Sequence, residues 1–95
     1  MENQHRKITG YRELSQAEID LMNEIKAEGV RIEQLCKKVS EHLDGQIRDA
    51  FAKNDQVTQD RFVAAAPNGW LFRAMANFQV ALMELTRAVA QPTTF

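Results

Sequence analysis

Between Met22 and Leu43 the positions Met22, Ile25, Gly29, Ile32, Cys36, Val39 and Leu43 follow one another in alternating steps of three and four. Such spacing marks a heptad seam, one narrow stripe along a long helix rather than a broad globular face. The helix start is written just upstream. Ser15 is an N-cap with Glu18 three residues later, and Leu14 and Ile19 flank it as a hydrophobic staple. Asp44-Gly45 marks an end or a bend, yet Ile47, Ala50 and Phe51 continue the helical pattern, so the first helix is expected over residues 15–52. A second stripe, Leu71, Met75, Phe78, Leu82, Leu85 and Val89, predicts a helix over residues 70–91, stopped by Gln91-Pro92. Beside it Ala74, Ala81 and Ala88 recur every seven residues, a column that lets a partner helix approach closely.

The stretch between the helices, residues 53–69, is the least regular. It reads as a connector with one extra helical turn around Phe62 and Val63, closed by Pro67-Asn68-Gly69 as a breaker. Residues 1–14 form a polar N-terminal segment with a turn at Gly10, ending in Tyr11-Arg12 immediately before the cap. The pattern as a whole predicts an all-α fold: one domain over residues 1–95, an antiparallel helical hairpin. Each helix of a hairpin buries only one side, so assembly into a homo-oligomeric helical bundle is the expected remedy.

Size sharpens that expectation. Ninety-five residues bury too small a share of their surface to be more than marginally stable alone. The net charge of −1 gives no global attraction to DNA, so any anion site must be local. No apolar run approaches the ~20 residues that cross a membrane, and Met1 to Lys7 lack a signal-peptide core. With a single cysteine, Cys36, there is no internal disulfide, and a cytosolic protein is expected.

Catalytic and metal chemistry find little purchase. His5 and His42 are far apart, Cys36 has no CxxC partner and falls on the seam, and the four glycines are too scattered for a phosphate loop. No metal, no cofactor and no enzyme activity are expected. The positive candidates are Tyr11, Arg12, Lys26, Gly29 and Arg73. Taken singly, Tyr11 reads first as a hydrophobic anchor on Leu14 or Ile19, and Lys26 as a solvated lysine beside the seam. Arg73 and Arg87 each read first as partners of helix-one carboxylates. Gly29 lowers helix propensity by roughly 1 kcal/mol relative to Ala, a cost tolerated where another backbone or a ligand comes close. Taken together, an aromatic ring and several cations form a set that can stack a base and hold phosphates.

The run Lys7-Ile8-Thr9-Gly10-Tyr11-Arg12-Glu13-Leu14, with Glu18 to Lys26 following, resembles the phage anti-CBASS cyclic-oligonucleotide sponge family. The C-terminal run Leu85 to Phe95 resembles it too, as do Trp70, Gln79 and Met83 at compatible spacing. This resemblance implies a small helical protein, hexameric, acting in the cytoplasm of the infected bacterial host. It would sequester cyclic dinucleotides such as cyclic GMP-AMP (cGAMP) at subunit interfaces without cleaving them, starving the CBASS effector. Some members also hold cyclic trinucleotides in a separate three-fold pocket. By similarity Tyr11 maps to the base-stacking aromatic and Lys26 to a phosphate-contacting lysine; no trinucleotide contact is carried over, and Arg12 as a helper and Arg73 as a trinucleotide candidate are added beside them. Residues 44–68 depart from the family pattern, and Met75 stands where a basic or polar residue is expected before Ala76. Sponges that counter Thoeris defence share the hairpin element and bind cyclic ADP-ribose derivatives, a second ligand class. The competing reading from a different class is a helical oligomeric adaptor or regulator whose seams bind another protein.

Overall fold

The computed structural model describes residues 12–94. Three helices follow in order: α1 over Gln16–Ala52, α2 over Gln56–Ala65 and α3 over Pro67–Ala90. Among the described residues there is no strand. At 1.5 Å per residue the 37 residues of α1 run ~55 Å, and they set the long dimension of a molecule measuring 63 × 23 × 17 Å.

Helix α1 begins as its sequence dictates. The Ser15 hydroxyl accepts from the Glu18 amide, and the Glu18 carboxylate accepts from the Ser15 amide at 2.8 Å. Asp44-Gly45 does not break the helix, which runs on unbroken to Ala52. The seam faces α3. Met22, Ile25, Gly29 and Ile32 are half-buried and Val39 is exposed, while Cys36, Leu43 and Ala50 are buried and supply three of the four core residues buried among the described ones.

The expected connector is more ordered than its composition promised. Residues 53–69 hold not one helical turn but the ten-residue α2, together with the first turn of α3. Asp55 starts α2, its carboxylate accepting from the Thr58 amide at 3.1 Å and from the Thr58 hydroxyl at 2.6 Å. Those two donors hold the Asp55 carboxyl below its ordinary pKa. Helix α2 is tied to the end of α1, since the Asp55 amide and the Gln59 side chain both donate to the Ala50 carbonyl, at 2.8 and 3.3 Å. Ala66, with φ near 49°, is the one residue between α2 and α3. Pro67 then opens α3 from its first position instead of breaking it, because proline's fixed φ suits a helix start and its missing N–H costs nothing there.

Helix α3 returns antiparallel along α1. Leu71, Met75, Leu82 and Val89 face inward as their spacing requires. Phe78 and Leu85 do so less: they are 40% and 54% exposed, and Thr86 takes the inward position beside Leu85. A straight helix turns every 3.6 residues, so a strict 3.5-residue pattern drifts off the seam. Ala81 and Ala88 are exposed, so within the hairpin that column is not filled.

This shape is far from a compact globule. The radius of gyration is 20.2 Å against ~12 Å expected for a compact chain of this length. The accessible surface is 7671 Å², where a compact protein of 10.9 kDa exposes about 5,600 Å². Much of the surplus is apolar, with Phe51, Val57, Val63, Trp70 and Phe72 all prominently exposed.

Candidate functional site

Lys26 stands one position past Ile25 on α1, next to the seam, where a long side chain lays its stem on apolar neighbours and keeps its ammonium in water. The antiparallel return of α3 brings the other wall. Ile25, Lys26 and Gly29 face Leu82, Met83, Thr86 and Arg87 across an open groove. Gly29 sets the depth of its floor: a Cβ built there would lie 3.2 Å from Leu82 Cδ1, closer than ordinary van der Waals contact. Thr86 donates its hydroxyl to the Leu82 carbonyl at 2.9 Å, so that wall has its polar group satisfied within the helix.

The electrostatics of the groove are one-sided. Two cations, Lys26 and Arg87, are exposed at its rim, and among the described residues no carboxylate lines it. Neither cation forms an ion pair with a carboxylate among the described residues. In a chain whose net charge is −1, this is a local positive site. An apolar floor with cationic edges suits a flat ligand that carries phosphates at its perimeter.

Arg12 has another partner set. Its guanidinium grips both carboxylate oxygens of Glu18, through Nη1 at 2.9 Å and through Nη2, and Nη2 also donates to the Val89 carbonyl at 2.9 Å. The side chain therefore latches the segment before α1 to the first turn of α1 and the last turn of α3. A role for Arg12 as a ligand contact has to share the guanidinium with that latch. The Arg12 fork, followed by the Ser15 amide, holds the Glu18 carboxyl well below the usual carboxylate range, at about 2. The same hydrogen bond keeps Arg12 still more firmly protonated.

Arg73 lies away from this groove. It is 14 residues before Arg87, about 21 Å along α3, and its guanidinium carbon sits 5.1 Å from the centroid of the Trp70 ring. That is cation–π distance on an exposed surface. Trp70, Leu71 and Phe78 line a second, almost wholly apolar groove against Leu35, Val39 and Leu43. The structure thus brings Lys26, Gly29 and Arg87 together and leaves Arg73 at the other end of the hairpin. Tyr11 lies outside the described residues. Arg87, which sequence reasoning weighed beside Arg73 and read first as the partner of a helix-one carboxylate, was left out of the expected site. The signal that finds it is the antiparallel register: once Gly29 meets Leu82, Lys26 and Arg87 fall on the same stretch of groove.

Among the described residues no three of His, Cys, Asp and Glu gather closely enough to hold a metal ion. Cys36 is buried within the seam, and His42, next to the buried Leu43, is exposed. No described helix is long and apolar enough to cross a membrane.

Residues 3–90 match the protein family described as Acb2/Tad1, hairpin domain. A curated relative, "Anti-CBASS protein 2" of Pseudomonas phage JBD67, is 40% identical over 105 aligned positions, which cover 97% of this chain and 97% of the relative.

Proposed function

We infer the function from a plain premise: this chain belongs to the Acb2/Tad1 hairpin-domain family. It is a phage immune-evasion protein that binds cyclic oligonucleotide second messengers and withholds them from CBASS effectors inside the infected bacterium. Cyclic dinucleotides such as cGAMP are its first ligands, and sequestration, not cleavage, is its mode of action. The observation that carries this reading is the groove between α1 and α3, with an apolar floor at Gly29 and Leu82 and cations at its rim. Lys26 holds phosphate there, and Tyr11, which immediately precedes the latched Arg12, stacks on a base. Such stacking is worth about 1–3 kcal/mol per base.

Binding takes place in a homo-oligomer, a hexamer in this account. Support comes from the surplus surface and elongated shape of the single chain, and from apolar side chains left open on α1, α2 and α3. A two-fold ligand between two copies meets matching groups from each. The Trp70–Arg73 pair is the place where a cyclic trinucleotide is to be sought, since it is remote from the Lys26 groove and combines an aromatic face with a cation.

Calorimetric titration of the protein and of its Tyr11→Ala and Lys26→Ala variants with cGAMP tests the reading. Each variant is expected to bind at least tenfold more weakly while its mass by light scattering stays that of the wild type. Wild-type affinity in both variants would mean that the ligand sits elsewhere. Failure of the wild-type protein to bind cyclic di- or trinucleotides or cyclic ADP-ribose derivatives would favour the adaptor reading, in which the apolar faces serve another protein.

A further inference from the structure

Lys26 presents a single ammonium, and a point charge of that kind neither fixes the orientation of a phosphate nor covers two of its oxygens. Across the groove stands a group that does both. Arg87 lies on the last turn of α3, exposed, on the wall opposite Lys26 and beside Thr86. Among the described residues no carboxylate lines the groove to compete for its planar fork of donors. Arg12, the other arginine at this end of the hairpin among the described residues, is already gripping Glu18 and the Val89 carbonyl. Of the two guanidinium groups, Arg87 is therefore the one whose fork is open to the groove.

We propose that Arg87 is a phosphate ligand of the Lys26 groove, clamping through its guanidinium the phosphodiester that the Lys26 ammonium faces. The charge count supports this assignment. A cyclic dinucleotide carries two phosphodiesters, each with one negative charge, and one groove supplies two cations. Where two copies meet across a two-fold ligand, every phosphate receives one lysine and one arginine. Lys26 then contributes attraction, and Arg87 contributes geometry, because paired N–H donors fit two phosphate oxygens at once. The inference rests on the proposed nucleotide-binding function and adds to it a residue and a division of labour.

The test uses the full-length protein, cGAMP as the probe, and the variants Arg87→Gln and Arg87→Lys. Dissociation constants are measured at two salt concentrations, alongside melting temperature and mass by light scattering. Arg87→Gln is expected to bind about tenfold or more weakly, each tenfold corresponding to ~1.4 kcal/mol. Its affinity should also depend less steeply on salt, since one ionic contact is gone. Arg87→Lys, which keeps the positive charge that the C-terminal end of α3 favours, should match the wild type in melting temperature and still bind several-fold more weakly.

Binding by Arg87→Gln within twofold of the wild type overturns the proposal. So does a weakened affinity whose salt dependence is unchanged, because that loss would be structural. If Arg87→Gln fails to assemble, Arg87→Lys decides: wild-type affinity overturns the assignment and a several-fold loss supports it. A wild-type protein that does not bind cGAMP at all refutes the dinucleotide reading on which the Arg87 assignment rests, and that control tells this outcome apart from failure of the Arg87 assignment alone.

Discussion

Replacing Gly29 probes the groove and the helix packing with one residue. The Cβ of an alanine would come to 3.2 Å from Leu82 Cδ1, a few tenths of an ångström inside ordinary carbon–carbon contact. Leu82 can yield by turning its flexible end, at a cost on the order of 0.5–1.5 kcal/mol for a strained rotamer. Against this, alanine returns about 0.8–1 kcal/mol of helix propensity in the middle of α1. Gly29→Ala should therefore leave stability within ~1 kcal/mol of the wild type, by rough cancellation of those two terms. Leucine adds three further carbons at a position whose Cβ would already press on Leu82 of α3. Overpacking of that kind costs about 1–3 kcal/mol, and propensity offsets under 1 kcal/mol of it. At ~4–8 °C per kcal/mol for a domain of this size, Gly29→Leu should melt several degrees below Gly29→Ala. The same side chain fills the floor of the groove, so Gly29→Leu should also lose cGAMP binding while Gly29→Ala retains most of it. Circular-dichroism melts and calorimetry on the two variants check both statements. A leucine variant as stable as the alanine variant, with wild-type affinity, would refute the close approach of α1 and α3 at this position.

Two further outcomes follow from the surface and from the latch. The melting temperature should rise with protein concentration, because a chain exposing 7671 Å² is stabilised by its own copies; a constant value across a hundredfold range would contradict assembly. Glu18→Gln keeps an acceptor for the Ser15 amide but removes the charge that Arg12 grips. The native Glu18 carboxyl titrates near 2, below its ordinary value of 4.5, so its contribution is full above pH ~4.5 and is lost as pH falls toward 2. The stability gap between wild type and Glu18→Gln should be constant from pH 5 to 7 and close below pH 4. A gap that does not change with pH would mean that the Arg12–Glu18 pair does not form in solution.

How much of this was legible in the residues depends on how local each signal was. The capping box at Ser15 and Glu18 is a contact between near neighbours, and it was readable without the fold. The α1 seam was readable for the same reason, since its period is a property of one helix. Pro67 was misread because the same residue ends one helix and starts another; only the neighbouring Ala66, in a left-handed conformation, shows which. Asp55 three residues before Thr58 was a usable cap signal for α2, masked by the polar run around it and by Val57 and Val63, which remain 78% and 80% exposed. Leu85 looked like a seam residue because a 3.5-residue pattern was laid on a helix of period 3.6. Arg87 and Arg12 illustrate the limit for sites. Their partners lie 61 and 77 positions away, at Lys26 across the groove and at the Val89 carbonyl, and only the antiparallel register reveals them.

The central claim is that this chain captures cyclic oligonucleotides and gives them back unchanged. Thermal unfolding against a panel of cyclic di- and trinucleotides, with chromatography of the ligand released on denaturation, tests it most directly. Ligand at 100 times its dissociation constant adds ~2.7 kcal/mol per site, so a true ligand should raise the melting temperature by many degrees and be recovered intact. A raised melting temperature with the ligand degraded would make the protein an enzyme, and no shift with any member of the panel would contradict nucleotide capture.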